Sequence, residues 1–84
     1  MSKIPLEQKI QSKRIKQLEE DGYYVIKLIN TNKNGIPDII AIPRDSDVLF
    51  CEVKRPGQRP SKLQEFRHNE LKERGIKVEI YTGE

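Results

Sequence analysis

The run Ile39-Ile40-Ala41-Ile42, fenced by Pro37-Asp38 before it and Pro43 after it, constrains this chain more than any other stretch. Consecutive apolar residues leave no polar face, so a strand built from them must be covered on both sides. β-Branched side chains favour extended chain. Asp38 to Ile42 therefore reads as a central strand, and the remaining elements must be arranged around it.

The neighbours fall into place from pattern. Tyr23 to Ile29, rich in aromatic and β-branched residues, reads as a strand, stopped by the turn cluster Asn30-Thr31-Asn32-Lys33-Asn34-Gly35. Pro43 to Asp47 is a second turn, and Val48 to Lys54 a third strand. Short connections predict an antiparallel meander. Upstream, Pro5 to about Asp21 reads as a helix, with Leu6, Ile10, Ile15 and Leu18 at helical spacing and Gly22 as its stop. Downstream, Ser61 and Gln64 have capping-box spacing, Leu63, Phe66 and Leu71 are expected to face inward, and Gly75 closes this second helix. Lys77 to Tyr81 is a last strand, reached by a crossover and so parallel to its neighbour. The predicted fold is α/β, in the order helix, three strands, helix, strand.

Eighty-four residues make a single domain spanning 1–84. A chain this short buries only roughly 60–65% of its unfolded surface, and such domains often lean on metal, disulfides or a partner subunit. Disulfides are excluded, because Cys51 is the only cysteine; it sits in an apolar run and reads as a buried thiol in a reducing compartment. No apolar run reaches the ~20 residues of a membrane span and the N-terminus has no signal-peptide pattern, so a cytoplasmic, intracellular protein is expected. The net charge of +3 is mild, but its distribution is informative. Lys9, Lys13, Arg14 and Lys16 load the first helix, and Arg55, Arg59 and Lys62 follow Lys54 in a basic loop. Positive charge beside acids suggests phosphate outside and metal inside.

The acids carry the chemistry. Glu-x-Lys occurs three times, as Glu7-Gln8-Lys9, Glu52-Val53-Lys54 and Glu70-Leu71-Lys72. Only the central copy lies on a predicted strand, where a two-residue spacing puts both side chains on one face with Phe50, while Leu49, Cys51 and Val53 point to the other. Asp38 opens the strand before it. Carboxylates converging on one point suit a hard divalent cation, which keeps several of its waters and so needs few protein ligands. Such an ion supplies much of what phosphodiester hydrolysis requires. The carbonyl of Val53 is a further oxygen in reach. An exposed Glu52–Lys54 ion pair is the plainer alternative. Glu7 likewise has two readings, a first-turn acid favoured by the helix dipole or an acid on the inward edge of the helix.

Asp38…Glu52-x-Lys54 resembles the PD-(D/E)xK nuclease signature. Gly35-Ile36-Pro37-Asp38-Ile39-Ile40, Phe50-Cys51-Glu52-Val53-Lys54 and Ser61-Lys62-Leu63-Gln64 resemble more closely its VRR-Nuc branch, the virus-type replication and repair nucleases, in the short stand-alone phage form. The resemblance implies a restriction-endonuclease-like αβββαβ core with a mixed four-stranded sheet flanked by helices. It implies that Glu7, Asp38 and Glu52 hold Mg2+ or Mn2+ with the Val53 carbonyl. It makes Lys54 the group that positions water and offsets phosphate charge, and it places Gln64 close to the metal, beside its reading as a cap partner of Ser61. A minimal member is implied to be a homodimeric, structure-selective endodeoxyribonuclease acting on branched DNA, notably four-way (Holliday) junctions. Lys33, Arg55, Arg59 and Lys62 are the residues expected to meet DNA phosphate; no membrane partner is expected. His68, alone among charges in the second helix, is expected at the surface, and Phe66 in the core. The rival reading is a non-catalytic DNA-binding module on the same fold.

Overall fold

The apolar run becomes an inner strand of a four-stranded sheet, with Ile39 and Ala41 fully buried on one face and Ile40 and Ile42 half-buried on the other. The computed structural model describes residues 5–83. In chain order, α1 spans Leu6–Glu20, β1 Tyr24–Lys27, β2 Ile39–Ile42, β3 Leu49–Val53, α2 Lys62–Glu73 and β4 Lys77–Tyr81. The strands lie in the order β1-β2-β3-β4. β1 and β3 flank β2 antiparallel, and β4 joins β3 in parallel, completing the expected mixed sheet.

Register sorts the side chains onto two faces. Val25 stands opposite Ala41, Ile39 opposite Cys51, and Cys51 opposite Glu79, so these share a face with Leu49, Val53 and Tyr81. Here α1 packs through Ile10 and Leu18, over Ile39, Ala41, Cys51 and Val53, which are fully buried. Burial pushes the Cys51 thiol well above its ordinary value, which leaves it a small inert apolar residue. Arg14 does not join the basic surface of α1. Its guanidinium forks onto Glu79 of β4, with Nε 3.0 Å from Oε2 and Nη2 2.6 Å from Oε1, and lies 4.7 Å from the centre of the Tyr81 ring. The Tyr81 hydroxyl donates to Gln17 at 3.2 Å, so α1 and the far edge strand are tied by a polar clasp.

The opposite face carries Tyr24, Ile26, Ile40, Ile42, Phe50, Glu52, Val78 and Ile80 by the same register. α2 lies on this side, and its orientation corrects the sequence reading. Leu63 and Phe66 are exposed, at 45% and 56%, and the buried residue of the helix is His68. The physical reason is Glu52, a buried carboxylate that needs donors. Gln64 and His68, one turn apart on α2, face the sheet to supply them, and Phe66 is left on the outer side. The capping box forms as expected, the Ser61 hydroxyl accepting from the Gln64 N–H (3.1 Å) and the Gln64 amide oxygen accepting from the Ser61 N–H (2.9 Å). Gly35 sits at φ +84°, where a Cβ would stand 2.9 Å from Leu63 Cγ. Its bare backbone lets α2 close against the turn that leads to Asp38, and Arg67 Nε donates to the Asn34 carbonyl at 2.9 Å across the same seam.

Candidate active site

Asp38 is held on both sides by backbone. Its carbonyl accepts from the Leu28 N–H at 2.8 Å, and its carboxylate Oδ2 accepts from the Val53 N–H, also at 2.8 Å. One register step from the Ile39–Cys51 pair, Asp38 stands across from Glu52. The carboxylate thus caps the strand end where pairing stops, instead of pointing freely into solvent. In extended chain a residue's N–H and C=O leave the backbone on the same side. The Val53 carbonyl therefore emerges on the Asp38 side, while the next amide, Lys54 N–H, turns the other way to the Tyr81 carbonyl at 3.0 Å.

Glu52 is 1% exposed, which for a carboxylate demands compensation. Two donors come from α2: Gln64 Nε2 lies 3.4 Å from Oε2, and His68 Nε2 lies 3.2 Å from Oε1. They do not cancel the charge. Burial and then the adjacent Asp38 push Glu52 up to about 8; Lys54 works in the opposite direction, and Glu7 adds to the rise. Burial and then Lys72 hold His68 below the ordinary imidazole value, so it offers a neutral ring instead of a counter-charge. Surplus negative charge in a dry corner is what a divalent cation relieves, and the donor set of hard oxygens suits one. Among the described residues no three His, Cys, Asp or Glu side chains form a ready cage. Asp38 and Glu52 are the close pair and Glu7 stands further out, an arrangement compatible with an ion that retains water.

Glu7 is half-buried and lines an open cleft of about 530 Å³ that reaches Asp38. α1 contributes Gln8 and Gln11 to this cleft, and β1 with its following loop contributes Lys27, Leu28 and Ile29. The first-turn acid of the sequence reading thus also lines the cleft that Asp38 borders. The central Glu-x-Lys is no exposed ion pair, because Glu52 is buried and Lys54 half-buried. Gln64 accepts the Ser61 N–H through its amide oxygen, as its reading as a cap partner expects, and its amide nitrogen lies 3.4 Å from Glu52.

The basic residues divide between two places. Arg55, Arg59 and Lys62 are exposed in and just after the loop that leaves Lys54. Lys33 lies on the other side, lining one hollow of about 250 Å³ that reaches Asp38 and another of about 220 Å³ with Arg67, Glu70 and Arg74. Sequence reasoning misses Lys27, Gln11 and above all His68, which is buried against Glu52 and not at the surface as expected. A signal is present: His68 follows Gln64 by four residues, so the helix face that brings Gln64 to Glu52 brings His68 there as well.

The family model described as the VRR-NUC domain matches residues 3–84, nearly the whole chain. The chain belongs to the VRR-NUC family. A phage protein named "Putative nuclease p44", from Acyrthosiphon pisum secondary endosymbiont phage 1, is 27% identical over 79 residues, covering 93% of this chain and 84% of the phage protein. A solved structure named as a VRR-NUC domain superposes with a TM-score of 0.82 at 27% identity, covering 90% of this chain and 83% of the other. Another, named a VRR-NUC domain protein, reaches a TM-score of 0.75 over 98% of this chain and 81% of its own; at 18% identity it supports the fold alone. Membership in VRR-NUC makes this a nuclease domain, of a superfamily that generally works with divalent metal. No helix among the described residues is long and apolar enough to cross a membrane.

Proposed function

We propose that this VRR-NUC chain is a divalent-metal-dependent endonuclease that hydrolyses DNA phosphodiesters, selects branched structure, and acts on four-way junctions as a homodimer. The observation that carries the nuclease chemistry is the pairing of Asp38 with buried Glu52 beside Lys54. Asp38 and Glu52 would hold Mg2+ or Mn2+, with the Val53 carbonyl and Glu7 as further oxygen donors. When bound, the ion supplies Lewis-acid charge at the scissile phosphate and makes a water acidic enough to attack. The remaining work falls to the chain. The Lys54 ammonium orients the attacking water and offsets charge developing on the phosphate. Gln64 steadies Glu52 while its other end caps α2. Arg55, Arg59 and Lys62 on one side, and Lys33 on the other, bind backbone phosphate, which fixes position without reading sequence.

The homodimer is supported by the sheet face that α2 leaves open. Tyr24 and Ile26 of the edge strand β1 lie on it by register and are 71% and 41% exposed. Apolar side chains this exposed on one face suit a second copy related by a two-fold axis, which would present two active sites to two related strands. The test is cleavage of labelled four-way junction, fork, duplex and single strand in Mg2+, Mn2+ and EDTA, with Glu52→Ala as the blank. Paired, metal-dependent nicks on the junction alone are expected. Cutting of plain duplex at the same rate would remove the structure selectivity, and binding without cutting in any metal would favour the non-catalytic module. Sedimentation equilibrium of wild type and Ile26→Glu tests the dimer, which the charge should dissociate.

A further inference from the structure

His68 lies on no surface that substrate could reach, yet it is one of the few polar side chains that are buried, at 3% exposure. Its Nε2 is 3.2 Å from Glu52 Oε1, and this is the polar contact the ring makes inside the fold. Gln64, one helical turn earlier, approaches the other oxygen of the same carboxylate at 3.4 Å. α2 thus presents two nitrogen groups, one to each oxygen of Glu52. We infer that His68 is a positioning residue: its Nε2–H locks the Glu52 carboxylate in the orientation that binds the metal.

The inference rests on the metal-nuclease reading proposed for Asp38 and Glu52, and it follows from counting lone pairs. An ionised carboxylate offers about two acceptor directions on each oxygen. With one direction on Oε1 taken by His68 and one on Oε2 by Gln64, one remains free on each oxygen, on the side away from α2. That is the Asp38 side, because Asp38 stands across from Glu52 at the end of β2. Glu52 as a ligand is ionised, so the contact with His68 is then a donation from Nε2–H, which fixes the tautomer. Without it, the carboxylate can turn about its last torsion, a soft two-fold rotor. The price is a polar ring in the interior where α2 could have buried Phe66, and Phe66 is left 56% exposed as a result. A helix built only for stability would have been rolled the other way.

Partners that orient a metal ligand typically change metal affinity about 10–100-fold when removed. The experiment is calorimetric titration of Mn2+ into the full chain and three variants, with unfolding measured in parallel. His68→Phe keeps the ring and loses the donor, and the Mn2+ dissociation constant should rise by about 10–100-fold. His68→Gln and His68→Asn are both amides, but Gln carries its nitrogen near the position of Nε2 and Asn carries it nearer Nδ1. Gln should restore most of the affinity and Asn should not, which a merely structural role does not predict. Cleavage at saturating Mn2+ should recover in His68→Phe more than cleavage at limiting Mn2+. Equal Mn2+ affinity in wild type and folded His68→Phe would overturn the positioning role and leave the nuclease reading standing. Should His68→Phe fail to fold, equal affinity of the Gln and Asn variants would overturn it in its place. A wild type that binds no Mn2+ would overturn both the inference and the metal-nuclease reading.

Discussion

The carboxylate of Asp38 accepts the backbone N–H of Val53 at 2.8 Å, so the acid that opens β2 also closes the hydrogen-bond ladder at the end of β3. One side chain thereby serves the fold and the site. Its two functions separate by substitution. Asp38→Asn keeps an oxygen for the Val53 N–H and loses the charge, so it should fold with near wild-type stability and cut at least about 100-fold more slowly. Asp38→Ala leaves that N–H without its partner and should in addition lose about 1–3 kcal/mol in urea unfolding. Cleavage by the Asn variant at the wild-type rate would remove Asp38 from the site.

Glu52 gives a prediction with a defined direction in pH. Its carboxyl is pushed up to about 8 in the folded, metal-free protein, against roughly 4.3 for an ordinary unfolded glutamate. Below the unfolded value both states hold the proton and the group contributes no penalty. As pH rises the unfolded chain ionises first, so the folded state loses relative stability until its own carboxyl titrates, and the loss is complete above about pH 8. In EDTA, wild-type melting temperature should therefore fall between about pH 5 and pH 8 by more than that of Glu52→Gln. At pH 8 the Gln variant should be the more stable protein, and Mn2+ should raise only the wild type. A flat difference between the two across this range would contradict the buried, uncompensated carboxylate.

Gly35 couples the turn to the helix that holds Glu52. At φ +84°, and with Leu63 Cγ 2.9 Å from where its Cβ would stand, Gly35→Ala combines backbone strain with a collision against α2. The cost should be about 1–3 kcal/mol. Because the same helix carries Gln64 and His68, cleavage and metal affinity should fall too, measured below the melting transition. Gly57, in the basic loop at φ +85° with open space around it, offers a control in which only the strain is present.

Most of this architecture is legible in the sequence because each element carries its own signal. The continuous apolar run of β2, the Ser61–Gln64 capping box and the glycines after both helices each set a local choice that the fold keeps. The positions of Asp38, Glu52 and Lys54 are legible for the same reason, since strand alternation is a strict rule. The face of α2 is not. Hydrophobic periodicity predicts that Leu63 and Phe66 turn inward, but it cannot weigh a buried carboxylate on another element that has to be satisfied. The same omission hides His68, because a histidine among charged neighbours looks solvated until its partner across the fold is known. Arg14 looks like its lysine neighbours, and only the ion pair with Glu79, 65 residues away, reveals its direction.

That ion pair allows structural and functional basic residues to be told apart. Arg14 is largely buried between Glu79 and Tyr81, with no place in the cleft. Arg14→Ala should cost about 1.5–3 kcal/mol in urea unfolding and leave the cleavage rate of the folded protein unchanged. Arg14→Lys should recover little of the loss, because an ammonium cannot reproduce the two-point fork. A wild-type unfolding midpoint for Arg14→Ala would mean that the clasp contributes nothing in solution.

Arg59 and Lys62 should behave in the opposite way. Both are exposed, so their removal should change stability by no more than about 0.5 kcal/mol. If each neutralises one DNA phosphate, a variant without it releases one fewer counterion on binding. The slope of log affinity against log salt should then become shallower by about 0.9 for each phosphate left unneutralised on duplex arms. The measurement is junction binding between low and physiological salt, in a Glu52→Ala background so that no strand is cut during titration. Arg14→Ala in the same background should leave the slope untouched. Equal slopes for wild type, Arg59→Ala and Lys62→Ala would move the DNA away from this loop. The hollow of Lys33, Arg67 and Arg74 and the cleft residue Lys27 would then be the next basic groups to test.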